Sequence, residues 1–155
     1  CGAEGGELSD KESLLRQTGR MIDHIVRGLE EVDQETRLRI MERCGEACAE
    51  VGDLDIAVKI AEETDDLDEI VSRANGEIVW CGEWVRVGDK ITAVCKQCGC
   101  PLVRQGIVDL TCTFCYCSRG WAKAIFETLL KRSVKVELEK AIGLGDDVCK
   151  YTVHI

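Results

Sequence analysis

Six of the chain's eleven cysteines lie between positions 95 and 117, where the spacing C-x2-C-x-C occurs twice. The six are Cys95, Cys98, Cys100, Cys112, Cys115 and Cys117. A C-x2-C turn brings two thiols to one point, and four converging thiolates bind a divalent metal ion tetrahedrally. We therefore predict a metal site in this segment, with free or redox-active thiols and structural disulfides as the alternatives.

Two sets of four ligands fit the spacing. The outer set has nearly the spacing of a zinc ribbon and consists of Cys95, Cys98, Cys112 and Cys115. The inner set uses the two C-x-C pairs, which are Cys98 with Cys100 and Cys115 with Cys117. Zinc is the expected cofactor because a closed four-thiolate site suits a structural ion, and an iron–sulfur cluster is the alternative. Six ligands also allow a cluster of more than one metal.

The composition is that of a folded protein, with 45% hydrophobic and 32% charged residues. No stretch approaches the roughly 20 apolar residues of a membrane span, and the start of the chain lacks the basic and apolar regions of a signal peptide. We therefore expect a cytoplasmic protein without membrane insertion. Such a reducing compartment would keep the thiols free for metals and argues against a disulfide framework.

The formal net charge of −9 is concentrated in one segment. Residues 45–70 contain ten acidic side chains and a single basic one, Lys59. An acidic surface of this kind repels phosphate backbones, so we expect no nucleic-acid partner.

The chain has the length of one domain, with 155 residues. We expect residues 1–6 to be a disordered or tag-derived start and residues 7–155 to form a single domain. Its first half, residues 7–75, has apolar residues at helical spacing and predicts helices over about 7–31, 34–51, 53–64 and 65–74. Ser9 or Asp10 is the expected first N-cap.

The second half, residues 76–155, changes to the pattern of strands. Residues 77–95 alternate and are rich in β-branched side chains around Gly88-Asp89, which predicts a hairpin. We expect extended chain over 102–110, a helix over about 118–132, and two closing strands around the sequence "GLGDD". Helices followed by a mostly antiparallel sheet with one inserted helix make an α+β fold.

Several residues outside the doubled motif are expected to be structural. Cys44 and Cys48 lie one helical turn apart, and we predict that both face the core as small hydrophobic side chains. The same applies to Cys81 in the sheet interior. The three tryptophans, predicted to be core residues, are Trp80, Trp84 and Trp121. The only two histidines, His24 and His154, have no sequence neighbour that would make either a catalytic base.

The C-terminal segment "CYCSRGWAKAIFETLLKRSVKVELEKAIGLGDDVCKYTVHI" resembles the end of the 4-vinyl reductase (hydrocarbon-binding) domain family, which is related in fold to subunits of a vesicle-tethering transport particle. Its tail "GDDVCKYTVHI" is also similar to L-2-amino-thiazoline-4-carboxylate hydrolase-like proteins. The resemblance covers about the last 40 to 80 residues. It implies an α+β domain that encloses a small ligand and frequently forms a homodimer.

The resemblance also implies a zinc site near the C-terminal hairpin. Cys149 matches the last cysteine of the family pattern, and Cys115 or Cys117 matches the cysteine before the helix. Two positions depart from the pattern: Ala141 replaces a cysteine, and Leu138, flanked by Glu137 and Glu139, replaces a glutamate.

We therefore predict a small-molecule-binding sensor or carrier domain with a cysteine-ligated metal, zinc being the first choice, beside the ligand pocket. The first alternative is a hydrolase or thiol-dependent enzyme that uses one of the six clustered thiols, assisted by acidic residues such as Glu83 or Glu137. An iron–sulfur protein is a second alternative. A structural assembly subunit is the third, because the fold alone does not require any chemistry.

Overall fold

The computed structural model describes residues 9–78 and 81–155. The predicted start, residues 1–6, and Trp80 lie outside these ranges. The described helices are α1 (Asp10–Gly28), α2 (Gln34–Ala49), α3 (Asp53–Glu63), α4 (Leu67–Glu77), α5 (Pro101–Arg104) and α6 (Cys112–Leu130). The described strands are β1 (Trp84–Val87), β2 (Lys90–Cys95), β3 (Lys135–Lys140) and β4 (Cys149–His154). The predicted α+β fold is confirmed.

The helical half follows the capping signals of the sequence. Ser9 caps α1 in a reciprocal box: the Ser9 hydroxyl accepts from the Glu12 amide at 3.3 Å, and the Glu12 carboxylate accepts from the Ser9 amide at 2.9 Å. Asp33 and Asp66 cap α2 and α4 with their side chains alone, by accepting hydrogen bonds from amides of the first turn. Among the described residues, no helix combines the length and the apolar character that crossing a membrane requires.

The four strands form an antiparallel sheet in the order β1-β2-β4-β3. The predicted hairpin joins β1 to β2, with Val87 paired to Lys90 and Gly88 at a φ of 64°. Glycine suits this turn because the left-handed region penalises residues with a Cβ. Strand β4 lies between β2 and β3 and is therefore an inner strand of the sheet.

Helix α6 packs its apolar side on this sheet. Phe126 is fully buried there, and its ring meets that of Trp84 edge-on at a centroid distance of 4.8 Å. Trp84 also contacts the ring of Tyr151 on β4, which confirms it as a core residue. Trp121 is only half-buried, and its indole nitrogen donates to Asp53 on α3 at 2.9 Å.

Helix α6 begins six residues before the predicted start at position 118. The Thr111 hydroxyl accepts a hydrogen bond from the Phe114 amide at 3.1 Å and caps the helix at its N-terminus. The predicted extended chain over 102–110 is also wrong in part, because α5 occupies its beginning. The cause is the C-x2-C spacing, which we interpreted as a metal-binding turn although it also fits the first turn of a capped helix.

The other side of α6 crosses α2 at unusually close range. A Cβ on Gly45 would lie 1.9 Å from the carbonyl oxygen of Cys117, and one on Gly120 would lie 2.0 Å from the carbonyl oxygen of Glu42. Backbone therefore meets backbone at this crossing. The two glycines are required because no side chain fits between the helices there.

Replacing Gly45 by alanine is expected to lower the free energy of unfolding by at least about 2 kcal/mol, because the added Cβ overpacks the crossing. Chemical denaturation checks this. The matched control is Gly76→Ala in the last turn of α4, where an added Cβ meets nothing within 4 Å; it should leave stability unchanged or raise it by up to about 1 kcal/mol. Equal stability of the Gly45→Ala variant and the parent protein would refute the close crossing.

Candidate cysteine site

The helical backbone of α6 divides the second cysteine motif between two sides. Cys112 and Cys115 are separated by three positions and share one face of the helix, whereas Cys117 is two positions further on and points away from them. The sequence prediction had placed Cys115 and Cys117 on one face, as a strand would. The structure therefore leads to two separate groups of cysteines.

The first group forms around the 3-10 turn Ile142–Leu144, which precedes β4. The Ile142 amide lies 3.5 Å from the Cys149 sulfur, to which it donates. The next residue, Gly143, lies against the Cys115 sulfur: a Cβ there would stand 2.5 Å from it, so the glycine lets the turn approach. The Gly143 amide also favours the Cys115 thiolate and lowers the pKa of this thiol. Two consecutive residues of the turn thus meet two sulfurs, one from α6 and one from β4.

Two further cysteines complete this first group. Burial raises the pKa of the Cys115 thiol to about 11, and nearby charges on Cys149, Cys98 and Cys112 add to the rise. The Gly143 amide opposes this rise. Burial also raises the pKa of Cys98, although the Cys100 amide donates to its sulfur and opposes the change. We call Cys98, Cys112, Cys115 and Cys149 the Cys149 group.

A chain of hydrogen bonds holds α6 in position against β4. The Tyr151 hydroxyl donates to Ser118 at 2.8 Å, and the Ser118 hydroxyl donates to the Cys115 carbonyl at 2.7 Å. Burial is the main cause that raises the pKa of Tyr151, so the phenol stays protonated and able to donate. These bonds fix the position of Cys115 relative to β4, and therefore to Cys149, without involving either thiol.

Cys95, the first member of the predicted outer set, is joined to Cys81 in a disulfide with a Cα–Cα distance of 5.2 Å. Its sulfur is therefore not a free ligand in this structure. Cys95 ends β2 directly opposite Cys149 on β4, so a free thiol lies on the strand next to Cys95. Cys81 was predicted as a free side chain of the sheet interior, and it is half-buried at the edge of the core.

The other eight described cysteines are free, and they include five of the six predicted ligands. Within residues 9–78 and 81–155, no three histidine, cysteine or acidic side chains already stand close enough to hold a metal ion. Ion binding by the Cys149 group would consequently require its side chains to rotate toward a common centre.

The second group lies where α2 crosses α6. Cys44 and Cys48 are exposed, so the prediction that both face the core is wrong. The packed face of α2 consists of Met41, Gly45 and Ala49, spaced by four residues. Counting apolar residues missed this face because a glycine at its centre carries no hydrophobic signal.

The Cys48 and Cys117 thiols lie close enough at the crossing for each to shift the pKa of the other. Hydrogen bonding with Cys117 lowers the pKa of Cys48 to about 7, and the same interaction, together with burial, raises the pKa of Cys117. In Cys44, by contrast, partial burial of the sulfur raises the pKa. Cys100 packs against the small cluster that contains Cys117 and belongs to the same neighbourhood.

The histidines and the acidic residues named above as possible assistants or family ligands lie at the surface. His24 and Glu83 are exposed. Hydrogen bonds from Lys135 and His154 lower the pKa of Glu137 to about 2, so this carboxylate is ion-paired. Glu139 pairs with Lys150 and accepts from a threonine hydroxyl on β4. Neither flanking glutamate is placed in the Cys149 group by these contacts.

A cavity of about 280 Å³ lies between α4 and the end of α6. Its lining residues are Asp65, Leu67, Ile70, Leu129, Leu130 and Arg132. The volume is close to the lower limit for small-molecule sites. No cysteine lines it, so this cavity is separate from both groups of thiols.

The lowered pKa of Cys48 makes this thiol the expected first target of alkylation. At pH 7 a pKa of about 7 leaves about half of Cys48 as thiolate, against about 1% for an ordinary thiol near 9. Because nucleophilicity falls with pKa, we expect Cys48 to react with iodoacetamide about fivefold faster than Cys44 at this pH. Peptide mass spectrometry measures both rates in one sample.

The two residues serve as matched probes because both are exposed on α2. The preference should shrink as the pH rises toward 9, where Cys44 also begins to ionise. Equal rates at pH 7 would show that the hydrogen bond from Cys117 does not stabilise the Cys48 thiolate.

The profile of a family of unknown function, DUF6144, matches residues 9–155. No curated protein matches the chain. The resemblance to the 4-vinyl reductase family and the homodimer that it implies stay predictions.

Proposed function

The chain belongs to the family of unknown function DUF6144, and we propose that it is a metal-binding domain in which the Cys149 group holds one zinc ion. The ion would connect three parts of the chain: the loop that carries Cys98, the first turn of α6 and the start of β4. Four thiolates without an open position suit a structural zinc site. The role of the ion would therefore be to stabilise this end of the sheet.

The observation that carries the proposal is the approach of one turn to two sulfurs: the Ile142 amide donates to Cys149, and Gly143 packs against Cys115, whose sulfur a Cβ there would meet at 2.5 Å. Amide hydrogen bonds stabilise negative charge on sulfur, and such outer contacts orient metal ligands. The Gly143 amide opposes the rise in the pKa of Cys115, and the Cys100 amide opposes that of Cys98. Backbone amides thus act on three of the four proposed ligands before any ion binds.

The ligand set is the predicted outer set with one residue exchanged. It keeps Cys98, Cys112 and Cys115 of the outer set and replaces Cys95 by Cys149. Burial supports the exchange, because Cys115 and Cys149 are 8% and 6% exposed and a sulfur-bound ion there would be shielded from water. Of the inner set, Cys117 lies at the helix crossing, and Cys100 packs against the cluster that contains Cys117.

Small-molecule binding is a second and subordinate part of the proposal. The cavity beside α4 is lined by four apolar residues and by Asp65 and Arg132, a composition that suits a small ligand with polar groups. A metal ion in the Cys149 group would stabilise α6, whose last turn lines this cavity.

Metal analysis of protein purified without added metal tests the zinc site. We expect about one zinc per chain in the parent protein and a loss of most of it in Cys149→Ser. The matched control is the double variant Cys81→Ser/Cys95→Ser, which removes the neighbouring disulfide and should retain its zinc. That control should also unfold more easily, by about 2–4 kcal/mol, since the disulfide closes a loop with a sequence separation of 14.

Full zinc content in Cys149→Ser would contradict the proposed ligand set. Loss of zinc from the double variant would restore Cys95 as a ligand and make the disulfide a metal-free form of the outer set. Iron with sulfide in place of zinc would keep the four ligands and replace the ion by a cluster.

A further inference from the structure

We propose that Cys48 and Cys117 form a redox-active dithiol that reacts with low-molecular-weight disulfides. The site lies at the crossing of α2 and α6 and uses none of the four residues of the Cys149 group. It is therefore independent of the proposed zinc site. Its chemistry is a two-electron exchange in which the dithiol becomes a disulfide.

The close crossing of the helices brings the two sulfurs together. Gly45 lies one turn before Cys48, and a Cβ there would stand 1.9 Å from the Cys117 carbonyl oxygen. The backbones are thus in contact at the level of Cys117. The Cys48 thiol and that of Cys117 are near enough to shift each other's pKa. A disulfide between them requires the two sulfurs to move from this proximity to bonding distance.

The two thiols differ in their access to solvent. Cys48 is exposed on α2, whereas Cys117 is 9% exposed and packs in a small cluster with Met41 and Phe114. A disulfide reagent can therefore reach Cys48 first, while Cys117 is protected from direct attack. This arrangement assigns Cys48 as the attacking thiol and Cys117 as the resolving thiol.

The exchange proceeds in two balanced steps. The Cys48 thiolate attacks one sulfur of the reagent RSSR, so that a Cys48–S–S–R bond forms, the reagent's own disulfide bond breaks and RS⁻ leaves. The Cys117 thiol then gives up its proton and attacks the Cys48 sulfur, which expels the second RS⁻. Cys48 and Cys117 are oxidised, RSSR is reduced, and the protons lost by the two thiols convert both leaving groups to RSH.

The product disulfide would connect α2 and α6 covalently beside the glycine contact. Cys117 lies two positions after Cys115 on α6, so this disulfide would form on the same helix as two ligands of the proposed metal site. Cys44 and Cys100 also lie close enough to raise the pKa of Cys117, so they are the competing partners for a disulfide.

The experiment treats the fully reduced protein with excess oxidised glutathione, quenches it with acid and maps the peptides by mass spectrometry without reduction. Beside the Cys81–Cys95 disulfide, which should form again, we expect a Cys48–Cys117 linked peptide as the main product. In Cys117→Ser the reaction should stop at the first step, so Cys48 should carry at least about tenfold more bound glutathione than in the parent protein, where intramolecular attack removes it.

The control Cys44→Ser should give the same linked peptide as the parent protein. A main product that links Cys44 with Cys48 or Cys100 with Cys117 would overturn the proposal, and so would glutathione that remains on Cys48 of the parent protein. If Cys117→Ser does not fold, the peptide map of the parent protein decides alone. Zinc content of the Cys149→Ser variant is unaffected by either outcome, which keeps the two proposals distinguishable.

Discussion

The fold depends on the contact between the backbones of α2 and α6. Gly45 and Gly120 allow each helix to touch a carbonyl of the other, which fixes the rotation of α6 about its axis. The opposite side of α6 then packs on the sheet through Phe126, whose ring meets Trp84. A helix held on both sides has one orientation, and the positions of all three cysteines in its first turns follow from it.

The cysteine chemistry follows from this orientation and from helical geometry. A spacing of three residues keeps Cys112 and Cys115 together, and a further step of two sends Cys117 to the other side. The first pair meets the turn before β4 and the amides that precede Cys149. Cys117 meets Cys48 at the crossing. One motif that looks uniform in sequence thus contributes to two chemically different sites.

Much of the fold could be predicted because its signals are local. The Ser9 cap, the turn at Gly88 and the change from helical to alternating pattern each depend on a few adjacent residues. The sites depend on contacts between distant residues, and these were harder to predict. The register of β2 and β4 pairs Cys95 with Cys149, yet only the family resemblance drew attention to Cys149. The cap at Thr111 was a local signal that the cysteine spacing obscured.

The central claim is that the cysteines divide into a metal-binding group and a separate dithiol. Alkylation of the native protein with and without zinc, followed by peptide mapping, tests this division most directly. The account predicts that zinc protects the half-buried Cys98 and Cys112 while Cys44 and Cys48 remain reactive. Protection of Cys44 and Cys48 by zinc, with Cys98 and Cys112 unaffected, would contradict it.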